Sequence, residues 1–301
     1  FFNIPFLVVG FCVGLLCKYT QIPRWTFLVY TSLAILPFLY VFLVLKINLG
    51  TNAYFYSMNR NGIPQLLIIA TSLQVMTDSL QKRTYIFMFP SILTIVCSYF
   101  SLSRAGLVLS FGLFGIVLIV NIRNYLLSSE KKMTWIKEHK GKVLIALGVV
   151  FLITFIGIYI VLQGTRLASL GVKDSARVSI ALEFFDQLTL RNFLIGFRPS
   201  LTGVTRLHNS FLTMLSYYGI FSFGLYFLIG ISLLHYMKHS FTLFGVLGIW
   251  CIYSLVESIS PLDVGDFLLI PLIMIALYQK GWELFPDKKK PMELVRSVLK
   301  K

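Results

Sequence analysis

Long apolar runs dominate this chain and restrict what it can fold into. A helix needs about 20 apolar residues to cross the hydrocarbon core of a bilayer. The expected fold class is therefore all-α, a polytopic transmembrane helix bundle that forms a single integral membrane domain over 1–301. We interpret nine segments as spans: residues 2–17, 25–45, 63–78, 85–100, 104–122, 143–162, 210–235, 241–257 and 264–279.

Two of these spans carry extra information. The third contains Gln65, Thr71 and Gln74, so we expect it to pack inside the bundle rather than against lipid. The first is short, and the chain begins with Phe1 rather than Met, so we expect further amino-terminal spans to precede it.

Composition supports a membrane protein and excludes several other classes. Hydrophobic residues make up 57% of the chain and charged residues 13%, about half the charged fraction of a soluble domain. This excludes a soluble enzyme, a disordered chain, a fibrous repeat and a secreted disulfide scaffold. The four cysteines lie inside apolar runs without a CxxC spacing, which indicates packing residues rather than metal ligands.

The basic residues predict the topology. Lys and Arg number 27 against 12 Asp and Glu, a net charge of +15. In a soluble protein this excess would suggest nucleic acid, but the predicted spans place 18 of the 27 on one side, including those of a basic tail at 280–301. Basic loops stay in the cytoplasm, so this side is expected to be cytoplasmic, and no nucleic-acid partner is expected.

The opposite, outer side carries nine basic residues, of which seven are Arg. A guanidinium fork can contact two phosphate oxygens at once, which Lys cannot. Six of the nine lie in one long segment, 163–207, which we interpret as an outer catalytic loop. The alternative is that these cations lie at the headgroup boundary and pair with lipid or with the loop's own Asp174, Glu183 and Asp186.

Three features of the outer side could carry chemistry. Apolar residues recur at helical spacing over 174–190 and predict an amphipathic helix at the membrane interface, or alternatively a structural strap. His208 is the one histidine predicted on this side, and an imidazole can accept a proton at neutral pH. Arg104 lies between two apolar runs, where an arginine is costly and is either functional or snorkelling to the interface.

Several short motifs occur here in a recognisable order. They are SRAG at Ser103–Gly106, Arg177 followed by a turn at Gly196, HNSFLTMLSYYG at His208–Gly219, and the entry MNRNGIPQLL at Met58–Leu67. Together, over roughly 55–240, they resemble the carboxy-terminal domain of the bacterial O-antigen ligase and O-antigen polymerase superfamily. Two departures are visible: the family's Gly-x-Gly turn is Gly196-Phe197-Arg198, and Ser216 lies near the place of an acidic residue.

The resemblance implies a GT-C-like membrane glycosyltransferase on the outer face of the bacterial cytoplasmic membrane. Its donor would be a glycan on undecaprenyl diphosphate and its acceptor a glycan hydroxyl, without metal, nucleotide sugar or other cofactor. Arg104 and Arg177 would stabilise the diphosphate, and His208 would be the general base. Substrate contacts are assigned to Arg198, Arg206, Asn209 and Gly196. The alternative bases are Asp174, Glu183, Asp186, Glu257, Asp263 and Asp266.

The sequence leaves the acceptor open. A polymerase joins lipid-linked repeats, whereas a ligase transfers the finished chain to lipid A core or protein. The Lys-, Phe- and Ile-rich, Ala-poor composition favours a capsule or exopolysaccharide polymerase of an AT-rich bacterium, with membrane lipid, a chain-length regulator and a flippase as candidate partners. A flippase or transporter for the same glycan is the alternative of another class, although no internal repeat is visible.

Overall fold

The computed structural model describes residues 4–20, 22–46, 61–101, 103–128, 138, 141, 176–202, 207–259 and 265–279. All regular secondary structure in these residues is helical, which confirms the all-α class. The predicted sixth span 143–162, most of the loop before residue 176, Arg206 and the tail 280–301 lie outside the described residues.

Eleven helices are described in chain order. We number them α1 (Ile4–Tyr19), α2 (Arg24–Leu39, continued by a π-helical turn Tyr40–Val44), α3 (Gly62–Leu80), α4 (Phe89–Phe100), α5 (Arg104–Leu127), α6 (Ala176–Asp186), α7 (Leu190–Ile195), α8 (Ser210–Tyr218), α9 (Ser222–His239), α10 (Phe241–Val256) and α11 (Asp266–Gln279). A 3₁₀ turn, Gly219–Phe221, joins α8 to α9.

Two described segments are long and apolar enough to cross a membrane. One is Arg104–Leu126, with 23 residues, and the other is Ser210–His239, with 30 residues. An 18-residue stretch within them has a mean hydropathy of 2.4 in the first and 1.7 in the second. The remaining predicted spans that the structure describes also coincide with helices, but these are shorter or less apolar. The predicted span 85–100 is the clearest case: its helix starts only at Phe89, next to Pro90, and its 12 residues extend about 18 Å.

The chain divides into two compact units. Unit 1 contains 1–23, 186–200 and 209–301, and unit 2 contains 24–185 and 201–208. Within unit 2, α3 packs against α2, α4 and α5, and 13 of its 19 residues are buried. The prediction that this segment packs inside the bundle is confirmed. Its polar residues meet others from α4, as in the hydrogen bond between the hydroxyls of Thr71 and Thr94 at 3.1 Å.

Two glycines lie where α1 packs against α11 in unit 1. α1 packs along α11 with Gly10 and Gly14, one helical turn apart, at the contact. A Cβ on Gly10 would lie 2.6 Å from the carbonyl oxygen of Asp266, and one on Gly14 would lie 2.9 Å from the sulfur of Met274. Small residues at this spacing let two helix backbones approach each other, as they do in membrane bundles.

The 30-residue apolar segment is bent rather than straight. The hydroxyl of Tyr226 in α9 donates to the carbonyl of Phe211 in α8 at 2.5 Å. In a straight helix these residues, 15 positions apart, would be about 22 Å apart along the axis. The chain therefore turns back at Gly219, whose φ is +53°. The predicted span 210–235 consists of a short helix, α8, and an 18-residue helix, α9.

Candidate functional site

Arg104 is the first residue of α5, and the local sequence explains its position. The hydroxyl of Ser103 caps the helix by accepting from the backbone N–H of Gly106 at 3.2 Å. Gly106 lets α5 approach α3, because a Cβ there would lie 2.8 Å from the Cβ of Pro64. The first turn of α5 contains no acidic residue. The half-buried Arg104 therefore adds its charge to the positive end of the helix dipole, an arrangement that favours a bound anion.

Arg177 lies in the first turn of α6, whose predicted helix is confirmed over Ala176–Asp186. This helix buries Ile180 and Phe184 and exposes Val178 and Leu182, which are 65% and 60% accessible. Exposed Phe185 continues the same apolar face. Three apolar residues of the predicted stripe are therefore exposed.

The turn that contains Arg198 is held at both ends. On one side the backbone N–H of Phe197 donates to the carbonyl of Ser216 at 2.6 Å. On the other, the amide side chain of Gln187 accepts from the N–H of Ser200 at 2.9 Å and donates to its carbonyl at 2.7 Å. The Arg198 side chain is exposed. Its backbone position is therefore fixed while its guanidinium stays accessible.

Gly196 lies at a crossing of two backbone segments. It ends α7 with a φ of +82°, and a Cβ there would lie 2.7 Å from the carbonyl oxygen of Ser216. The second segment is the end of α8, where Gly219 lies at the contact. A Cβ on Gly219 would lie 2.5 Å from the backbone nitrogen of Gly196 and 2.5 Å from the carbonyl oxygen of Leu194. The two glycines of the motif region thus face each other and fix α7 against the end of α8.

Asn209 and Ser210 attach the start of α8 to the end of α10. The Asn209 side chain caps α8 by accepting from the N–H of Leu212 and donates to the carbonyl of Leu255, both at 3.1 Å. The buried hydroxyl of Ser210 donates to the carbonyl of Glu257 at 3.0 Å and accepts from the N–H of Ile259 at 2.8 Å. The half-buried His208 directly precedes this fixed point.

The other end of α8 lies near a buried acid. Asp266, the first residue of α11, is 1% accessible and interacts electrostatically with Tyr218. Tyr217 and Phe221 beside it are exposed. Among the alternative bases, Glu257 lies at the start of α8, where its backbone carbonyl accepts from Ser210.

The predicted site residues divide between the two units. Arg104, Arg177 and His208 belong to unit 2, whereas Gly196, Arg198 and Asn209 belong to unit 1. Arg206 and the alternative bases Asp174 and Asp263 lie outside the described residues. In the part of the chain that the structure describes, no three His, Cys, Asp or Glu side chains come together as a metal site.

The fold and site together define an all-helical protein with two segments able to cross a membrane. Comparison with known proteins found no matching family model, no matching curated protein and no matching solved structure. The relation to the O-antigen ligase and polymerase superfamily therefore stays a hypothesis that depends on the motifs and on where the structure places them.

Proposed function

We propose that this protein is a multi-pass, GT-C-like glycosyltransferase of the bacterial cytoplasmic membrane, related to the O-antigen ligase and polymerase superfamily. The observation that carries the proposal is the position of Arg104. Arg104 is half-buried at the capped N-terminus of α5, so its charge adds to that of the helix end, and the first turn contains no acidic residue. This arrangement suits a diphosphate leaving group.

The exposed surface supports a membrane-spanning arrangement with more than two spans. α2 buries Phe27 and Ile35 but exposes Trp25, Leu33 and Leu36 at 56–64% accessibility. Burying one large apolar side chain stabilises a protein by about 1.5–3 kcal/mol. A helix that presents such residues outward is solvated by lipid rather than by water. We extend this interpretation to the nine predicted spans, with the 163–207 loop on the outer face.

The proposed reaction is an inverting displacement at the anomeric carbon of the donor. His208 accepts the proton of the acceptor hydroxyl as its oxygen forms the new glycosidic bond. The bond between the anomeric carbon and the diphosphate oxygen breaks, and its electron pair leaves with the undecaprenyl diphosphate. Arg104 and Arg177 stabilise the charge that develops on that oxygen. Arg198, exposed in its fixed turn, is available to the donor glycan or phosphate.

Substitution of the arginines by lysine tests this function. Arg104→Lys and Arg177→Lys keep the charge but lose the two-pronged contact, so we expect most glycan assembly to be lost. The matched control is Arg123→Lys, which changes an exposed arginine near the far end of α5. The assay is glycan length in a deletion strain complemented with each variant at equal expression. Normal assembly with both site variants would show that these residues only anchor the protein to lipid headgroups.

The same deletion strain separates the two acceptors. If the protein is the polymerase that we favour, the strain accumulates single repeats on undecaprenyl diphosphate. If it is a ligase, the strain accumulates long lipid-linked chains that are not transferred. A strain that still assembles and transfers glycan of normal length would argue against either enzyme. Failure of lipid-linked glycan to reach the outer face would instead indicate a flippase.

A further inference from the structure

A charged cluster lies in unit 2 at the end of α3 and the start of α2. Asp78 is fully buried, and its carboxylate pairs with Arg83 at 2.5 Å and with Arg24 at 3.7 Å. Two backbone hydrogen bonds form the turn after α3: the N–H of Arg83 donates to the carbonyl of Asp78, and the N–H of Lys82 donates to the carbonyl of Ser79. Lys82 has a φ of +50°. This is a Schellman C-cap, and it places Arg83 beside Asp78.

The cluster carries excess positive charge at the protein surface. Two guanidinium groups against one carboxylate leave a net charge of +1, and the exposed Lys82 raises it to +2. The side chains of Arg24 and Arg83 are 31% and 19% accessible, so both cations reach the surface. Arg24 is also oriented by Tyr85, since it donates to the carbonyl of that residue and stacks over its ring at 4.3 Å.

The surroundings of the cluster are amphipathic. Trp25 and Tyr85 flank it with accessibilities of 64% and 51%, as aromatic residues do at a membrane interface. Beyond them the exposed apolar residues of α2, such as Val29 and Leu33, continue along the helix. A molecule bound here would meet cations at one end and an apolar helix face at the other.

We propose that this cluster binds the headgroup of an anionic phospholipid whose acyl chains lie along α2. Its phosphate would meet Arg24, Arg83 and Lys82. The buried Asp78 Oδ2, Arg24 Nε and Gln81 Nε2 have no hydrogen-bond partner among the described residues, so the cluster is not saturated by its own hydrogen bonds. The proposal requires a membrane but does not depend on glycosyltransferase activity.

The test is native mass spectrometry of the purified full chain in a neutral detergent. It is titrated with phosphatidylglycerol and with phosphatidylcholine of the same acyl chains. We expect phosphatidylglycerol to bind more tightly, with each cluster cation contributing about fivefold. Arg24→Gln and Lys82→Gln should each reduce the preference by about that factor. Arg123→Gln, which removes an exposed cation of unit 2 outside the cluster, should leave it unchanged.

Two results would overturn the proposal. One is equal binding of the two lipids by the unmodified protein. The other is a preference that falls no further in Arg24→Gln and Lys82→Gln than in Arg123→Gln. Lys82→Gln guards against a folding defect, because Lys82 is exposed and takes part in neither ion pair with Asp78. Glycerol 1-phosphate, which lacks acyl chains, should bind at least tenfold more weakly than phosphatidylglycerol. If the two bind equally tightly, the ligand is a soluble phosphate rather than a lipid.

Discussion

The crossing of Gly196 and Gly219 offers the sharpest test of the structure around the motif region. Replacing Gly219 by alanine places a methyl group 2.5 Å from two backbone atoms, Gly196 N and Leu194 O. Neither atom belongs to a side chain that could rotate away. The residue also has a φ of +53°, which an L-residue other than glycine adopts only at a cost. Gly219→Ala must therefore separate α7 from the end of α8 or distort both.

The magnitude follows from two contributions. Gly219 (φ +53°, ψ −134°) and Gly196 (φ +82°, ψ 168°) adopt positive-φ conformations that cost a residue with a side chain about 1–3 kcal/mol, and an added carbon in a packed contact costs about 1–3 kcal/mol. We expect Gly219→Ala to lower stability by about 2–6 kcal/mol, and Gly196→Ala, whose Cβ would meet Ser216 O at 2.7 Å, by a similar amount. Because both changes act on one contact, the double variant should lose less than the sum.

The measurement is thermal unfolding of the purified protein in detergent, with glycan assembly in cells as a second readout. Gly224→Ala is the matched control, because a Cβ there meets nothing within 4 Å and the residue lies inside α9. That variant should be unchanged or more stable by about 0.5–1 kcal/mol. If Gly219→Ala unfolds at the same temperature as Gly224→Ala, that result would contradict the close contact between the backbones at Gly196 and Gly219.

Two further substitutions test local structure by the same unfolding assay. Lys82→Gly should raise stability by about 1 kcal/mol, because Lys82 has a φ of +50° in the C-cap of α3, and a destabilised variant would contradict that turn. Asn209→Ala should lower stability by about 1–3 kcal/mol, because it removes the cap of α8 and the donor to Leu255, and an unchanged unfolding temperature would contradict both bonds.

Apolar runs predicted most of the described helices, and two of these helices also begin at a local signal in the sequence. Ser103 and Asn209 are N-cap residues, and the structure uses both as caps. The polar residues of the third run predicted its interior position because unpaired polar groups are unfavourable against lipid, and α3 is indeed buried. Such signals are local, so a single chain is enough to read them.

The structural features that the sequence did not predict depend on contacts between different parts of the chain. The apolar run over 210–235 continues through Gly219, and only the bond from Tyr226 to Phe211 reveals the bend. Arg24 and Arg83 were interpreted as topological charges because their shared partner, Asp78, lies 54 residues from one and five from the other. The sequence did not predict the role of Gln187 either, because its side chain forms hydrogen bonds with the backbone of Ser200, 13 residues further along the chain.

The proposed role of His208 makes a prediction that separates chemistry from binding. If His208 is the general base, His208→Ala should reduce transfer by about 10²–10⁴-fold while binding of the lipid-linked donor changes little, because the arginines still contact the diphosphate. EDTA should have no effect if the arginines supply all the positive charge that the leaving group needs. The measurement is transfer from purified lipid-linked donor, with donor binding followed separately.

A His208→Ala protein that binds donor poorly but transfers normally at saturation would make His208 a binding residue. The base would then be sought among Asp174, Glu183 and Asp186.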